Sequence, residues 1–401
     1  MTDETLFEPS YPPLGAAADT ALLPAGLHDV LPPEAAHEAA VTDRLMAMIA
    51  AHGYARVKPP LIEFEDSLLS GTGAGLSKDT FRLMDPISQR MMGVRADITV
   101  QIARIARDRL GNAARPLRLS YAGQTLRVKG DQLRPERQVA QVGAELIGVD
   151  VANADAEIVA LASEALGAVG VERLTVDLTV PTLVAALLRE AGVENGAAER
   201  LRQALDRKDA AAIDAVGAEA GARHRAVTDT LKALLLAGGP AARALDLASR
   251  LDLGPSASLE SARLAQVVGR IAALAPAAKL TIDWVEHRGY EYHTGIAFTV
   301  FARGVRGELG RGGRYLAGAE PSTGFTLYLD SILRALPPAP HPALAYVPLG
   351  EEAAAARLRA DGWAVVSGLM PVADPARSAR RLGCSHVWRD GKVIALQDIP
   401  G

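Results

Sequence analysis

The stretch Gln138-Val139-Ala140-Gln141-Val142-Gly143-Ala144-Glu145-Leu146-Ile147-Gly148 decides the fold class. It reads as one long strand, and a second such run, Pro116 to Gln124, precedes it across the polar loop Lys129 to Arg137. Antiparallel strands with helices to one side suggest an α+β sheet rather than a parallel α/β one. Strand alternation puts Gln141 and Glu145 on one face with Val139, Gly143 and Ile147. A Gln and a Glu pointing the same way from a sheet face either water or a binding pocket.

Upstream, residues 1–22 read as a loose tail. Ala35 to His52 carries Val41, Leu45, Met48 and Ile49 at helical spacing, a stripe facing a core or a partner. Tyr54 to Lys58 alternates as a strand and meets Pro59-Pro60, which a sheet centre does not accept, so the pair marks an edge, a bulge or a subunit contact. Phe81–Asp85 and Gln89–Arg95 read as a hairpin around Pro86-Ile87-Ser88, and Thr99 to Leu110 as a helix. Downstream the character changes. Within 181–276 strand signals vanish and charges recur at helical spacing, as in Glu199, Arg202, Asp206 and Lys208, which predicts a helical insertion between two parts of one core, 23–180 and 277–336. Pro337 to Pro342 is a linker by composition, and 343–401 reads as a small α/β module.

Composition narrows the function. The chain has 401 residues, a prior of two or three domains, with 49% hydrophobic and 22% charged residues, close to a globular average. Lys plus Arg total 43 against 47 Asp plus Glu, a net charge of −4, which disfavours extensive polyanion binding but not a local basic groove. Cys384 is the one cysteine, so disulfide frameworks and Cys-based zinc sites within the chain are ruled out. The histidines show no metal-ligand spacing, so no metal is expected. No apolar run reaches the roughly 18 residues of a membrane span, and the N-terminus lacks a signal pattern; a cytoplasmic protein is expected.

Several residues are candidates for chemistry. Asp97 just ahead of Thr99 reads either as a helix cap or as a ligand contact. Arg127 ends a strand before a loop carrying Lys129, Arg134 and Arg137, either a solvated charge run or part of a site. Asp283 to Gly295 is the densest polar-aromatic stretch. Its Arg288-Gly289 turn beside Tyr290 and Tyr292 suits a pocket in which a guanidinium meets a carboxylate, the other reading being a surface hairpin. Gly310, Gly312 and Gly313 allow close backbone approach, and no Gly-Lys-Ser/Thr follows them, so this is not a P-loop.

Taken in order, these segments resemble the catalytic core of histidyl-tRNA synthetase, a class II aminoacyl-tRNA synthetase, from about Leu23 to Leu336. The matching motifs are Pro24 to Pro32, a motif-1-like helix and strand ending at Pro60, a motif-2-like Leu126-Arg127, and Arg137 to Glu145. Two histidine-specific motifs follow, Arg288 to His293 and Gly312-Gly313-Arg314-Tyr315. The resemblance implies a histidine pocket built from Asp97, Ile98, Thr99, Arg127, Gln141, Glu145, Arg288, Tyr292 and His293. In it Asp97 replaces the family's ammonium-binding Glu, Arg288 matches the histidine-specific arginine, and Tyr292 matches the first of two tyrosines, His293 standing for the second.

Elsewhere the chain departs from the synthetase. The acidic residue two places after the motif-2 arginine is Lys129, the motif-3 arginine is Ser331, and a motif-3 glycine is Tyr328. A lost cation clamp on a polyphosphate typically costs several kcal/mol of transition-state stabilisation, so adenylation is not expected. The C-terminal module is shorter than an anticodon-binding domain, and its arginines are mixed with Glu351, Glu352, Asp361 and Asp374, so tRNA binding is not expected. This combination resembles the synthetase-like family of ATP phosphoribosyltransferase regulatory subunits. What it implies is a non-catalytic role without a cofactor, a short-form catalytic subunit as partner, L-histidine as ligand, and a homodimer within a larger hetero-oligomer.

Overall fold

In the computed structural model, which describes residues 23–130, 135–193, 195–219, 222–287 and 292–399, the strand pair forms as expected. Leu117–Leu126 runs antiparallel to Gln138–Ile147, with Leu117 opposite Ile147 and Leu126 opposite Gln138. The pair is part of a nine-stranded sheet. Its order is Ala55–Arg56, Leu117–Leu126, Gln138–Ile147, Glu320–Tyr328, Gly310–Ala317, Ala297–Ala302, Leu174–Thr179, Lys279–Ile282 and Gly239–Pro240. The sheet is mixed rather than purely antiparallel, because Ala55–Arg56 pairs parallel with Leu117–Leu126, and Leu174–Thr179 with Lys279–Ile282. Parallel neighbours need a long crossover, and the chain between 179 and 279 supplies one. That crossover is the helix-rich stretch, from Pro181–Glu190 to Gly254–Leu274, interrupted by the short strand Gly239–Pro240.

The two faces of the sheet carry different cores. Val142, Ala144 and Leu146 belong to the larger core, with Ile158 and Leu161 of helix Ala152–Ala168. Leu183, Leu201, Ile213, Leu231 and Leu264 of the helical stretch join that same core, so these helices pack on the sheet rather than around a core of their own. The opposite face buries Leu117, Leu119, Tyr121 and Ile147 against Ile98, Ile102 and Ala106 at helix Thr99–Asp108. Alternation therefore assigns Gln141 and Glu145 to the smaller core, both of them 1% exposed.

Two buried arginines fix the elements around that face. Arg95 donates to the carbonyls of Gln124 (2.7 Å) and Pro59 (3.1 Å), and Gln101 Nε2 donates to Pro60 O (2.8 Å). The proline pair thus lies beside the sheet edge, its carbonyls satisfied by side chains. Arg314 Nε donates to Asp155 Oδ1 (3.0 Å), and Arg314 Nη1 donates to Val149 O (3.1 Å). Arg263 adds a second guanidinium to Asp155 (3.1 Å) and reaches Asp150 (2.6 Å), so strand Gly310–Ala317 is tied to helices Ala152–Ala168 and Gly254–Leu274.

The predicted hairpin forms as Arg82–Met84 and Met91–Val94, with Ile62–Phe64 as third strand. The chain divides into two compact units, the smaller comprising 338–399 with 29–37. Within 338–399 a four-stranded sheet, in the order Ala364–Ser367, Leu344–Val347, His386–Arg389, Lys392–Ala395, is covered on its two faces by helices Glu352–Ala360 and Pro375–Arg381. Among the described residues no helix is long and apolar enough to cross a membrane.

Removing one partner of a buried ion pair strands the other charge. Asp155→Ala should therefore lower unfolding free energy by about 3 kcal/mol, read by urea denaturation, whereas Asp246→Ala, from an exposed pair, should cost about 1 kcal/mol or less.

Candidate functional site

On the face shared by Gln141 and Glu145, polar groups interrupt the smaller core. Tyr315 donates its hydroxyl to Glu145 Oε2 (2.9 Å), and Tyr121 donates to Oε1 (3.4 Å). The Tyr121 hydroxyl also lies 2.8 Å from Thr326 Oγ1 and 3.2 Å from Thr99 Oγ1. Two glycines make room for this network. A Cβ at Gly143 would lie 2.3 Å from the Tyr121 hydroxyl, and one at Gly324 only 1.7 Å from Glu145 Oε2. Burial, with the Asp97 charge adding to it, pushes the Glu145 carboxyl up to about 8, although the hydroxyls around it favour the charged form. The same burial raises the Tyr121 and Tyr315 phenols well above their ordinary value.

One turn of chain away, Asp97 and Gln141 form a second polar group. Asp97 Oδ1 accepts from the Thr99 amide (2.8 Å), Oδ2 accepts from Gln141 Nε2 (3.0 Å), and Gln141 Oε1 accepts from the Ile98 amide (3.1 Å). Asp97 therefore accepts from the amide of Thr99, the first residue of a helix whose N-cap is Ile98, and also lines the pocket.

Asp97, Thr99, Glu145, Tyr292 and His293 surround a pocket of about 30 Å³, room for one or two waters. Tyr292 is 43% exposed, and its ring lies 4.2 Å from that of His293 and edge-on to Tyr315. Ile98 contributes its amide, its side chain being buried in the small core. Arg127 lines a neighbouring cavity of about 150 Å³ with Asp79, Lys129, Glu136 and Gln141, instead of the pocket that holds Glu145. Arg288, with Gly289, Tyr290 and Glu291, lies outside the described residues, as do Arg134 and the tail 1–22.

Sequence reasoning missed Tyr121, Thr326 and Arg311 as neighbours of the pocket. Tyr121 alternates with Leu117 and Leu119, and Thr326 with Gly324 and Tyr328, so strand parity was the available signal once Glu145 was singled out. Arg311 lines the pocket beside Gly312, its guanidinium 2.8 Å from Glu308 Oε1. Tyr328 lines both cavities. Ser331 is fully buried in helix Leu329–Ala335 and accepts from Arg334 (3.0 Å), whose other contacts are Asp330 (3.2 Å) and Glu136 (4.0 Å). Arg334 is thus held by acids and does not line the larger cavity.

The sheet and its polar face define a protein of the histidyl-tRNA synthetase class: the histidyl-tRNA synthetase family profile matches residues 26–332. A solved structure described as an ATP phosphoribosyltransferase regulatory subunit/histidyl-tRNA synthetase from Bacillus halodurans superposes with a TM-score of 0.78. It is 25% identical and covers 90% of this chain and 96% of its own. An ATP phosphoribosyltransferase regulatory subunit of Rhodospirillum centenum is 56% identical over 95% of this chain and 97% of its own length. That of Gluconobacter oxydans is 47% identical over 94% and 97%. The chain belongs to the family of ATP phosphoribosyltransferase regulatory subunits.

Glu145 couples this site to stability. Below about pH 4.5 its carboxyl is protonated folded or unfolded; between there and about pH 8 only the folded chain keeps the proton. Its burial therefore costs stability progressively as pH rises through that window. Glu145→Gln, which does not titrate, should show a melting-temperature advantage over the wild type that grows between pH 5 and pH 8, read by parallel thermal melts.

Proposed function

We propose that this chain binds L-histidine in the Asp97–Glu145 pocket and conveys feedback inhibition to a short-form catalytic subunit of ATP phosphoribosyltransferase. As a member of its family the chain is a regulatory subunit of that enzyme and not itself the catalyst. The observation that carries the proposal is an asymmetry. Asp97, Gln141 and Glu145 form a polar cluster beside Tyr292 and His293, which supports an amino-acid pocket, while Lys129, Tyr328 and Ser331 stand at the positions where the synthetase resemblance calls for adenylating groups. A carboxylate for an ammonium, a wall of tyrosines for a ring and Arg288 for a carboxylate suit a small zwitterion. At about 30 Å³ the pocket must widen to admit it, and half-exposed Tyr292 is the side chain placed to move. A homodimer within the larger assembly belongs to the proposal through its family, not through the stripe of helix Glu34–Ala51, because Val41, Leu45 and Ile49 are buried in the chain's own larger core. Linkage supplies the logic: histidine inhibits only if it binds better to the low-activity assembly.

The test mixes the chain with a short-form catalytic subunit and follows phosphoribosyl-ATP formation. The expected result is activity that needs this chain and is inhibited by histidine. Asp97→Asn turns an amide NH₂ toward Gln141 Nε2, whose own oxygen is taken by the Ile98 amide, and removes the charge for the ammonium. Arg288→Ala removes a charge-assisted contact. Each should weaken inhibition about ten- to hundredfold. Full inhibition of both variants in an intact complex moves histidine to another site. The chain alone should sediment as a dimer at micromolar concentration and support no histidine-dependent ATP–pyrophosphate exchange. Ser331→Arg by itself should leave exchange absent, since Lys129 and Tyr328 remain.

A further inference from the structure

We propose that Tyr328 is a specificity-determining wall that restricts the small pocket to free amino acids and shuts out any ligand whose carboxyl group carries a bulky substituent. The inference rests on the reading that this pocket takes histidine, and extends it to what the pocket refuses.

Tyr328 ends strand Glu320–Tyr328, where its amide donates to Leu309 O (2.8 Å) and its side chain is 3% exposed. Across the sheet its register partner is Gln141. Gln141 lines the larger cavity and is bonded to Asp97, which lines the smaller, while Tyr328 lines both. These three side chains are therefore one partition between two cavities. An amino acid whose ammonium is held by Asp97 carries its carboxyl group on the same carbon, so the carboxyl group is placed at the partition too. From there the roomy direction is the cavity of about 150 Å³ beyond, and Tyr328 lines both that cavity and the smaller pocket. A bulky substituent on the carboxyl group, whether of an ester, a substituted amide or a mixed anhydride, meets the ring; a free carboxylate or an unsubstituted amide does not. Fixed in a strand end and buried, the ring has little freedom to swing aside.

L-Histidinamide and the N-benzylamide of L-histidine carry the same charges and differ in substituent size, so their affinity ratio reads the wall alone. Calorimetric titration of the full chain, with L-histidine as reference, should show the wild type excluding the benzylamide by at least about a hundredfold relative to the amide. Tyr328→Phe, which keeps the ring, should preserve that ratio. Tyr328→Gly and Tyr328→Ala should bring it within about tenfold. A wild type that binds both amides equally overturns the wall, as do folded Gly and Ala variants that still exclude the benzylamide. The two readings fail differently. If histidine binds and the ratio is near one, only the wall falls; if none of the three ligands binds, the histidine pocket falls and the wall with it.

Discussion

A carboxyl group buried within a nine-stranded sheet is the constraint around which this protein is arranged. Glu145 needs hydroxyl donors, and Tyr121 and Tyr315 reach it from the two flanking parts of the sheet. Their rings and its oxygens fit only because Gly143 and Gly324 have no side chain. A hydrophobic residue at 145 would fill the same space at less cost. An ionisable group stands there instead, lining a pocket with Asp97, and its burial costs stability.

The surrounding framework holds that site to small tolerances. Arg314 lies next to Tyr315 and is pinned on the other face of the strand by Asp155, with Arg263 bracing the same carboxylate from a neighbouring helix. Arg95 does the equivalent for the opposite side, binding the Pro59 segment and the end of strand Leu117–Leu126 two residues before Asp97 in the chain. Guanidinium groups suit this work because each offers several donors in a fixed plane and stays charged when buried. The pocket walls thus belong to elements cross-linked through their backs, and the larger core packs behind them.

Within this frame the changes that separate the chain from an adenylating enzyme are few. Lys129 lines the larger cavity, Tyr328 lines both, and Ser331 sits buried in helix Leu329–Ala335, engaged by an arginine that acidic neighbours already hold. The smaller pocket keeps the polar groups Asp97, Thr99 and Glu145.

The sequence by itself determined the strand pair Leu117–Leu126 and Gln138–Ile147, the hairpin after Phe81, the helix after Asp97 and the helical stretch beyond residue 181. Each is written in local periodicity and turn chemistry, which do not need distant residues. Strand parity likewise put Gln141 and Glu145 on one face. What only the tertiary structure decided was company. Local sequence does not say that Tyr121 meets Glu145 from the next strand, or that Thr326 closes the same network. Nor does it reveal that Arg127 opens onto a different cavity from Glu145, or that Tyr328 stands between the two. The parallel pairings at the ends of the sheet were illegible for the same reason. Pairing across a long crossover is settled by which faces bury together, a property of the assembled sheet and not of any one strand.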